Sequence, residues 1–164
     1  MHDQYLQILK KVGLFSELHG NEKALTYIKE QMTFKQFPVG HTLIQQGAKG
    51  TELYVMVEGQ VSIFKKTPEG DAYKVAVLNG NSAPAFGEGG LMEGEVRSAT
   101  IVCDTEVSCF ILTREVFNII GEIHPEFAFP IIKKIASNLM KTLGQTSHDL
   151  MLLHQALMNE IRSN

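Results

Sequence analysis

Several classes of function are excluded by what this chain of 164 residues lacks. It has no basic excess. Fifteen Lys and Arg stand against eighteen Asp and Glu, for a net charge of −3. Nucleic-acid binding needs a basic face, and this composition does not supply one. There is no apolar run of 18 or more residues, so no transmembrane helix is expected. The start, Met-His-Asp-Gln-Tyr, has neither the basic region nor the apolar core of a signal peptide. Only two cysteines are present, Cys103 and Cys109, both inside strand-like runs. They read as reduced core residues of a cytoplasmic protein rather than a disulfide. The six histidines, His2, His19, His41, His124, His148 and His154, show no metal spacing within a strand. No His-Glu-x-x-His and no Ser–His–Asp arrangement is evident, so the reading is not an enzyme, and no metal or cofactor is expected.

What is present is ordinary globular content: 44% apolar and 20% charged residues. The length suits one domain burying about 70% of its unfolded surface. Residues 3–12 carry Tyr5, Leu6, Ile8, Leu9 and Val12 at helical spacing, ended by Gly13. Leu14, Phe15 and Leu18 make an apolar turn. Asn21 is the expected N-cap of a second helix of about ten residues. From Thr33 the pattern changes to short β-prone runs at 33–37, 42–46, 52–58, 60–66, 72–78, 98–103 and 106–112, separated by turn signals. Several runs, such as Leu53 to Val57, are apolar on both faces. The fold class is therefore α+β and mainly β: a small antiparallel β jelly roll (33–112) between N-terminal helices (1–32) and C-terminal helices (113–164).

The C-terminal part returns to helical period. Thr113 is the expected cap of a helix ended by Gly121. Pro125 opens a long helix to about Ile161, with Pro130 as a kink or a first-turn marker. Leu139, Leu143, Thr146, Leu150, Leu153, Leu157 and Ile161 step close to a heptad seam. A barrel cannot cover a helix of that length, so a parallel homodimer is expected through it. The other reading is a helix that folds back or frays after Gly144, a candidate hinge.

The most informative stretch is Phe86 to Thr100. Loops as long as 79–92 in a compact domain tend to be functional. This one holds Gly87, Glu88, Gly89 and Gly90, a glycine-rich turn opening a short helix whose first N–H groups favour an anion. Nine residues after Glu88 comes Arg97, a planar, permanently charged fork suited to phosphate oxygens. Glu88, acceptor only when ionised, suits a sugar hydroxyl. Donors for a phosphate and an acceptor for a ribose describe a nucleotide site. Taken singly, the two charges read as well as a surface ion pair, worth about 0–1 kcal/mol.

Phe86-Gly87-Glu88, the nine-residue step and Arg97-Ser98-Ala99 resemble the phosphate-binding cassette (86–99) of cyclic-nucleotide-binding domains of the catabolite-activator and cAMP-dependent-kinase regulatory-subunit type. Gly40 to Gly47 and Leu53 to Gly59 resemble that family's early hairpin and following strand. The resemblance spans roughly residues 5 to 145, in order. It implies a stand-alone sensor for cAMP, or for cGMP, signalling through its C-terminal helix. It implies phosphate at Arg97, with N–H donors from Gly89, Gly90 and Ala99, and the ribose 2′-hydroxyl at Glu88. Ser98 falls where some members contact phosphate or purine. Thr142 falls at a polar base contact of the catabolite-activator type, followed here by apolar Leu143, which leaves the purine open. Val77 reads as base pocket or core. The loop Asn79 to Ala85 is longer than usual. Gly89 replaces an apolar anchor, which implies a looser turn that orders on binding. No helix-turn-helix fits after the long helix, so no DNA binding is implied. The alternatives are a cyclic dinucleotide as ligand, or a non-binding scaffold that dimerises. A protein effector is the further partner expected.

Overall fold

The computed structural model describes residues 2–92 and 96–163. Glu93 to Glu95, inside the 86–99 cassette, lie outside the described residues. The chain opens with α1 (His2–Leu9), a 3-10 helix (Gly13–Leu18) and α2 (Glu22–Gln31). Asn21 caps α2 by accepting the Ala24 N–H at 3.0 Å. The strands follow: β1 (Thr33–Phe37), β2 (Thr42–Ile44), β3 (Glu52–Glu58), β4 (Gln60–Lys66), β5 (Ala72–Asn79), β6 (Ala85–Phe86), β7 (Thr100–Cys103) and β8 (Val107–Thr113). Then come α3 (Arg114–Ile123) and α4 (Pro125–Ser163). Thr113 caps α3, accepting from Val116 N–H.

The strands form two antiparallel sheets, ordered β1-β8-β3-β6 and β2-β7-β4-β5, which is the expected jelly roll. The central strands β3 and β8 are buried on both sides because each serves two cores. Leu53, Val55, Phe110 and Leu112 face the helices and pack with Leu9, Phe15, Leu25, Ile28, Phe117 and Ile131. Tyr54, Met56, Cys109 and Ile111 alternate with them and fill the space between the sheets, with Val61, Ile101 and Cys103 of the second sheet. A two-residue side-chain period sorts one continuous apolar run into two cores. Both thiols are free and fully buried. Burial, then the neighbouring Cys103, pushes the Cys109 thiol up to about 12.

Several expectations are corrected. β6 was not anticipated, being two residues long and too short to show a period. β2 stops at Ile44 and β7 starts at Thr100. The reason is a local tie between two loops: Arg97 N–H donates to Ala48 O and Gly47 N–H to Arg97 O, both at 2.9 Å. Ser98 and Ala99 are thereby held outside the strand. Gly121 does not end α3, which runs to Ile123. It lies in the helix where α3 meets α4, with Ala128 Cβ 3.7 Å from where a Cβ would stand. Val77 is neither core nor pocket. It is 48% exposed on β5, a strand open to solvent along most of its length. α4 continues through Pro130 and Gly144 as one helix of 39 residues. Phe127, Ala128, Ile131 and Ile135 are buried on the body, and every described residue of α4 beyond Ile135 is exposed.

One polar contact underpins the second sheet. Fully buried Ser62 donates to Asp104 Oδ2 at 2.6 Å, and Gln60 Nε2 donates to the same oxygen at 3.2 Å. The Ser62 hydrogen bond holds the Asp104 carboxyl below its usual range, helped by Gln60 and Lys74 and opposed by desolvation. A depressed native pKa adds stability above about pH 4, and that part is lost as pH falls through the lowered value. Ser62→Ala is expected to cost about 1 kcal/mol at pH 7. Urea midpoints at pH 7 and pH 3 check this: the gap between wild type and variant should narrow at pH 3.

Candidate functional site

The turn after β6 begins at Gly87, whose φ of 78° is the left-handed conformation that glycine adopts without strain. A 3-10 turn follows, Glu88–Leu91, anchored by Leu91, which is buried among the helix-side core residues. Helix starts leave their first N–H groups without intrahelical partners. The third is already used: Gly90 N–H donates to Gly87 O at 2.8 Å. Gly90 is thus corrected from an expected donor to a turn residue.

Arg97 comes from the opposite side, at the end of the loop tied to Ala48. It is only 8% exposed. Its Nη1 donates to Gly87 O at 2.9 Å and its Nη2 to Glu52 O at 2.8 Å. Nη2 also meets the Glu52 carboxylate at 3.3 Å. A buried cation must be paired and hydrogen-bonded, and these contacts do that. Glycines make the slot. A Cβ on Gly50 would stand 2.3 Å from Arg97 Nε, and one on Gly87 2.8 Å from Nη1. Arg114 Nε donates to Gly90 O at 3.0 Å and fixes the far side of the turn.

A cavity of about 250 Å³ opens beside this slot, at the small end of the scale for ligand pockets. Its polar wall is Gly87, Glu88, Gly89, Gly90, Arg97, Ser98 and Ala99; its apolar wall is Ile44, Val96, Ile101, Ile135 and Leu139, with Thr142 beside them. The fold therefore brings together Gly87, Glu88, Gly89, Gly90, Arg97, Ser98, Ala99 and Thr142, which the sequence singled out. Phe86 is not with them. It is buried between the sheets, its ring stacked on Tyr54 at 5.6 Å. It holds the turn from below and does not line the cavity. Leu143 does not line it either and is 60% exposed.

Gly50, Glu52 and Arg114 were not anticipated as site residues. Gly50 and Glu52 lie some 45 residues before Arg97 and meet it only through the sheet. No spacing rule reports that. Chemically, the cavity offers a guanidinium and backbone donors at one end, a carboxylate beside them, and a wall formed by α4. Gly50→Ala is expected to push the guanidinium off its carbonyls and to cost about 1–3 kcal/mol, the scale of hydrogen bonds to a charged group. Chemical denaturation of the purified variant measures it; an unchanged midpoint would show that the slot is not tight.

Comparison with known proteins identifies the family. Residues 34–123 match the family described as "Cyclic nucleotide-binding domain". The "cGMP-dependent protein kinase egl-4" of Caenorhabditis briggsae is 32% identical over 125 residues, covering 74% of this chain and 16% of the kinase. The chain thus spans about a sixth of the length of such curated kinases. The N-terminal domain of a transcriptional regulator from Streptomyces coelicolor A3(2) superposes with a TM-score of 0.73 at 27% identity, covering 85% of this chain and 94% of that one. The regulatory domain of Toxoplasma gondii PKA, in a co-crystal structure with cAMP, gives 0.65 at 29% identity, covering 73% and 44%. The chain belongs to the cyclic nucleotide-binding domain family.

Proposed function

We propose that this chain is a regulatory sensor that binds a cyclic nucleotide in the cavity between the Glu88–Leu91 turn and α4. cAMP is the first candidate and cGMP the second. The observation that carries this reading is the joining of Arg97, Glu88 and Ser98 with Ile135, Leu139 and Thr142 around one cavity. The cyclic phosphate sits against Arg97 and the N–H groups at the start of the turn. Glu88 accepts from the ribose 2′-hydroxyl, and the base lies on the apolar wall near Thr142. Charge-assisted bonds contribute about 1.5–3 kcal/mol each. A few of them, with a buried base, reach the scale of micromolar binding at about −8.2 kcal/mol. Relatives named for cGMP dependence, and a neighbour crystallised with cAMP, support a cyclic nucleotide as the ligand class.

Occupancy would leave through α4. Leu139 lines the cavity and also stands on the heptad seam, so a base pressing on one side of the helix acts on the side that faces a partner. A parallel homodimer through that seam, acting in the cytoplasm on a protein effector, completes the reading.

One observation favours the scaffold alternative. The Arg97 guanidinium already has partners within the protein, including the Glu52 carboxylate. A phosphate must therefore compete with Glu52, whereas a scaffold would keep the arginine as a strut. Calorimetric titration with cAMP and cGMP separates the two. Micromolar binding of one nucleotide is expected, weakened roughly 10- to 100-fold in Arg97→Lys, which keeps the charge but loses the planar fork. No heat with either nucleotide, at protein concentrations well above micromolar, would favour the scaffold.

A further inference from the structure

Glu88 stands between two cavities. Beside the cavity described above lies a second, of about 290 Å³, walled by Leu14, residues 82–85, Lys134 and Asn138. Glu88 lines both, and among the described residues no other does. α4 passes both as well. Ile135, Leu139 and Thr142 line the first. Lys134 and Asn138, four residues apart and so neighbours on one side of the helix, line the second.

Two opposite charges are left over at this second cavity. Glu88 does not pair with Arg97, which meets the Glu52 carboxylate instead. Lys133 is taken by Glu17, at 3.2 Å. Glu88 and Lys134, both half-buried, make no hydrogen bond or ion pair among the described residues. Opposite charges facing a partly enclosed space attract more strongly than they would in open water. The loop wall of the cavity is fixed. Pro84 O accepts the Met56 N–H at 2.9 Å, and buried Ala83 is held at a φ of 47°. The movable partner is Lys134, a compact charge on a flexible four-carbon stem.

A nucleotide in the first cavity sets Glu88 a problem. The carboxyl must stay ionised to accept from the ribose, with the anionic phosphate on the same turn. A cation behind it offsets that repulsion. We propose that Lys134 is that cation: a positioning residue that keeps Glu88 ionised and aimed at the ribose, and that swings into the second cavity as the nucleotide fills the first. The inference rests on the cavity reading above. A carboxylate has two oxygens. One takes the ribose hydroxyl and the other the Lys134 ammonium. Sugar, turn and α4 are then joined by charge-assisted bonds. This is a pull on the helix from the sugar, separate from the push of the base on Leu139. The sugar is common to cAMP and cGMP, so the link serves either.

Calorimetric titration of the full chain tests this, with cAMP and with 2′-deoxy-cAMP, which lacks the ribose hydroxyl. Salt is kept at about 0.15 M, where exposed charges more than about 8 Å apart are largely screened. Lys134→Gln should weaken cAMP binding about 3- to 10-fold, the scale of a partly screened ion pair. Lys134→Arg should restore most of that loss. With 2′-deoxy-cAMP, Lys134→Gln should change affinity by less than about 2-fold, as it should for cAMP in a Glu88→Gln background, because distinct sites are additive unless they touch. A loss of equal size with both nucleotides, or one that persists beside Glu88→Gln, would show Lys134 acting on the phosphate from a distance and would overturn the link to Glu88. Unchanged cAMP affinity in Lys134→Gln would overturn it too. A merely structural lysine would lower the unfolding midpoint and affect the two nucleotides alike. A wild-type chain that binds neither nucleotide would overturn the cavity reading itself, and the role of Lys134 would fall with it.

Discussion

The site depends on one buried charge. The Arg97 guanidinium lies in a slot walled by glycine backbone at 50, 87 and 90 and is held by two carbonyl oxygens and the Glu52 carboxylate. Burying a cation is unfavourable unless its donors are met. Meeting them here fixes three pieces of chain against each other: the start of β3, the turn after β6, and the loop that leads into β7. The same contacts orient the guanidinium beside the cavity. An arginine with five donors retains capacity for an anion after its carbonyl bonds are made. The proposed recognition would therefore rest on the same side chain that fixes these three pieces of chain.

The rest of the fold delivers the other wall. β3 and β8 separate two cores, so the first sheet is clamped between the second sheet and the helices. α4 is held on the helix-side core by Phe127, Ile131 and Ile135 and then leaves the body, carrying Leu139 and Thr142 past the cavity mouth. The helix is buried where it is positioned, touches the cavity where it is released, and is exposed beyond. That sequence of environments suits the proposed route of the signal through α4, whose leucines beyond Leu139 are exposed.

Much of this was legible in the amino-acid order. The alternation and turn signals from Thr33 onward gave the strands, and the 3–4 step of leucines gave the long helix. Glu88 and Arg97 stood out because their chemistries are complementary to different parts of one ligand. What was hidden was set by tertiary contact. Gly50 looks like any turn glycine until Arg97 is placed against it. Glu52 reads as the polar end of a strand. Gly121 resembles a helix stop, yet it lies inside α3, which continues to Ile123. Phe86 reads as part of the cassette because it is next to Gly87 in sequence, but in space it belongs to the core beneath. Gly90 reads in sequence as an N–H donor for an anion, but the 3-10 turn uses that N–H internally.

The most direct measurement is the NMR signal of the Arg97 side-chain Nε–H during titration with cAMP or cGMP. A buried guanidinium that takes the ligand's phosphate should give a protected Nε–H resonance in the free protein. That resonance should move as the nucleotide is added, in step with the amides of Glu88 and Gly89. If those amides shift while the Arg97 resonance stays fixed, or if the free protein shows it rapidly exchanging with solvent, the arginine is not the buried clamp described here.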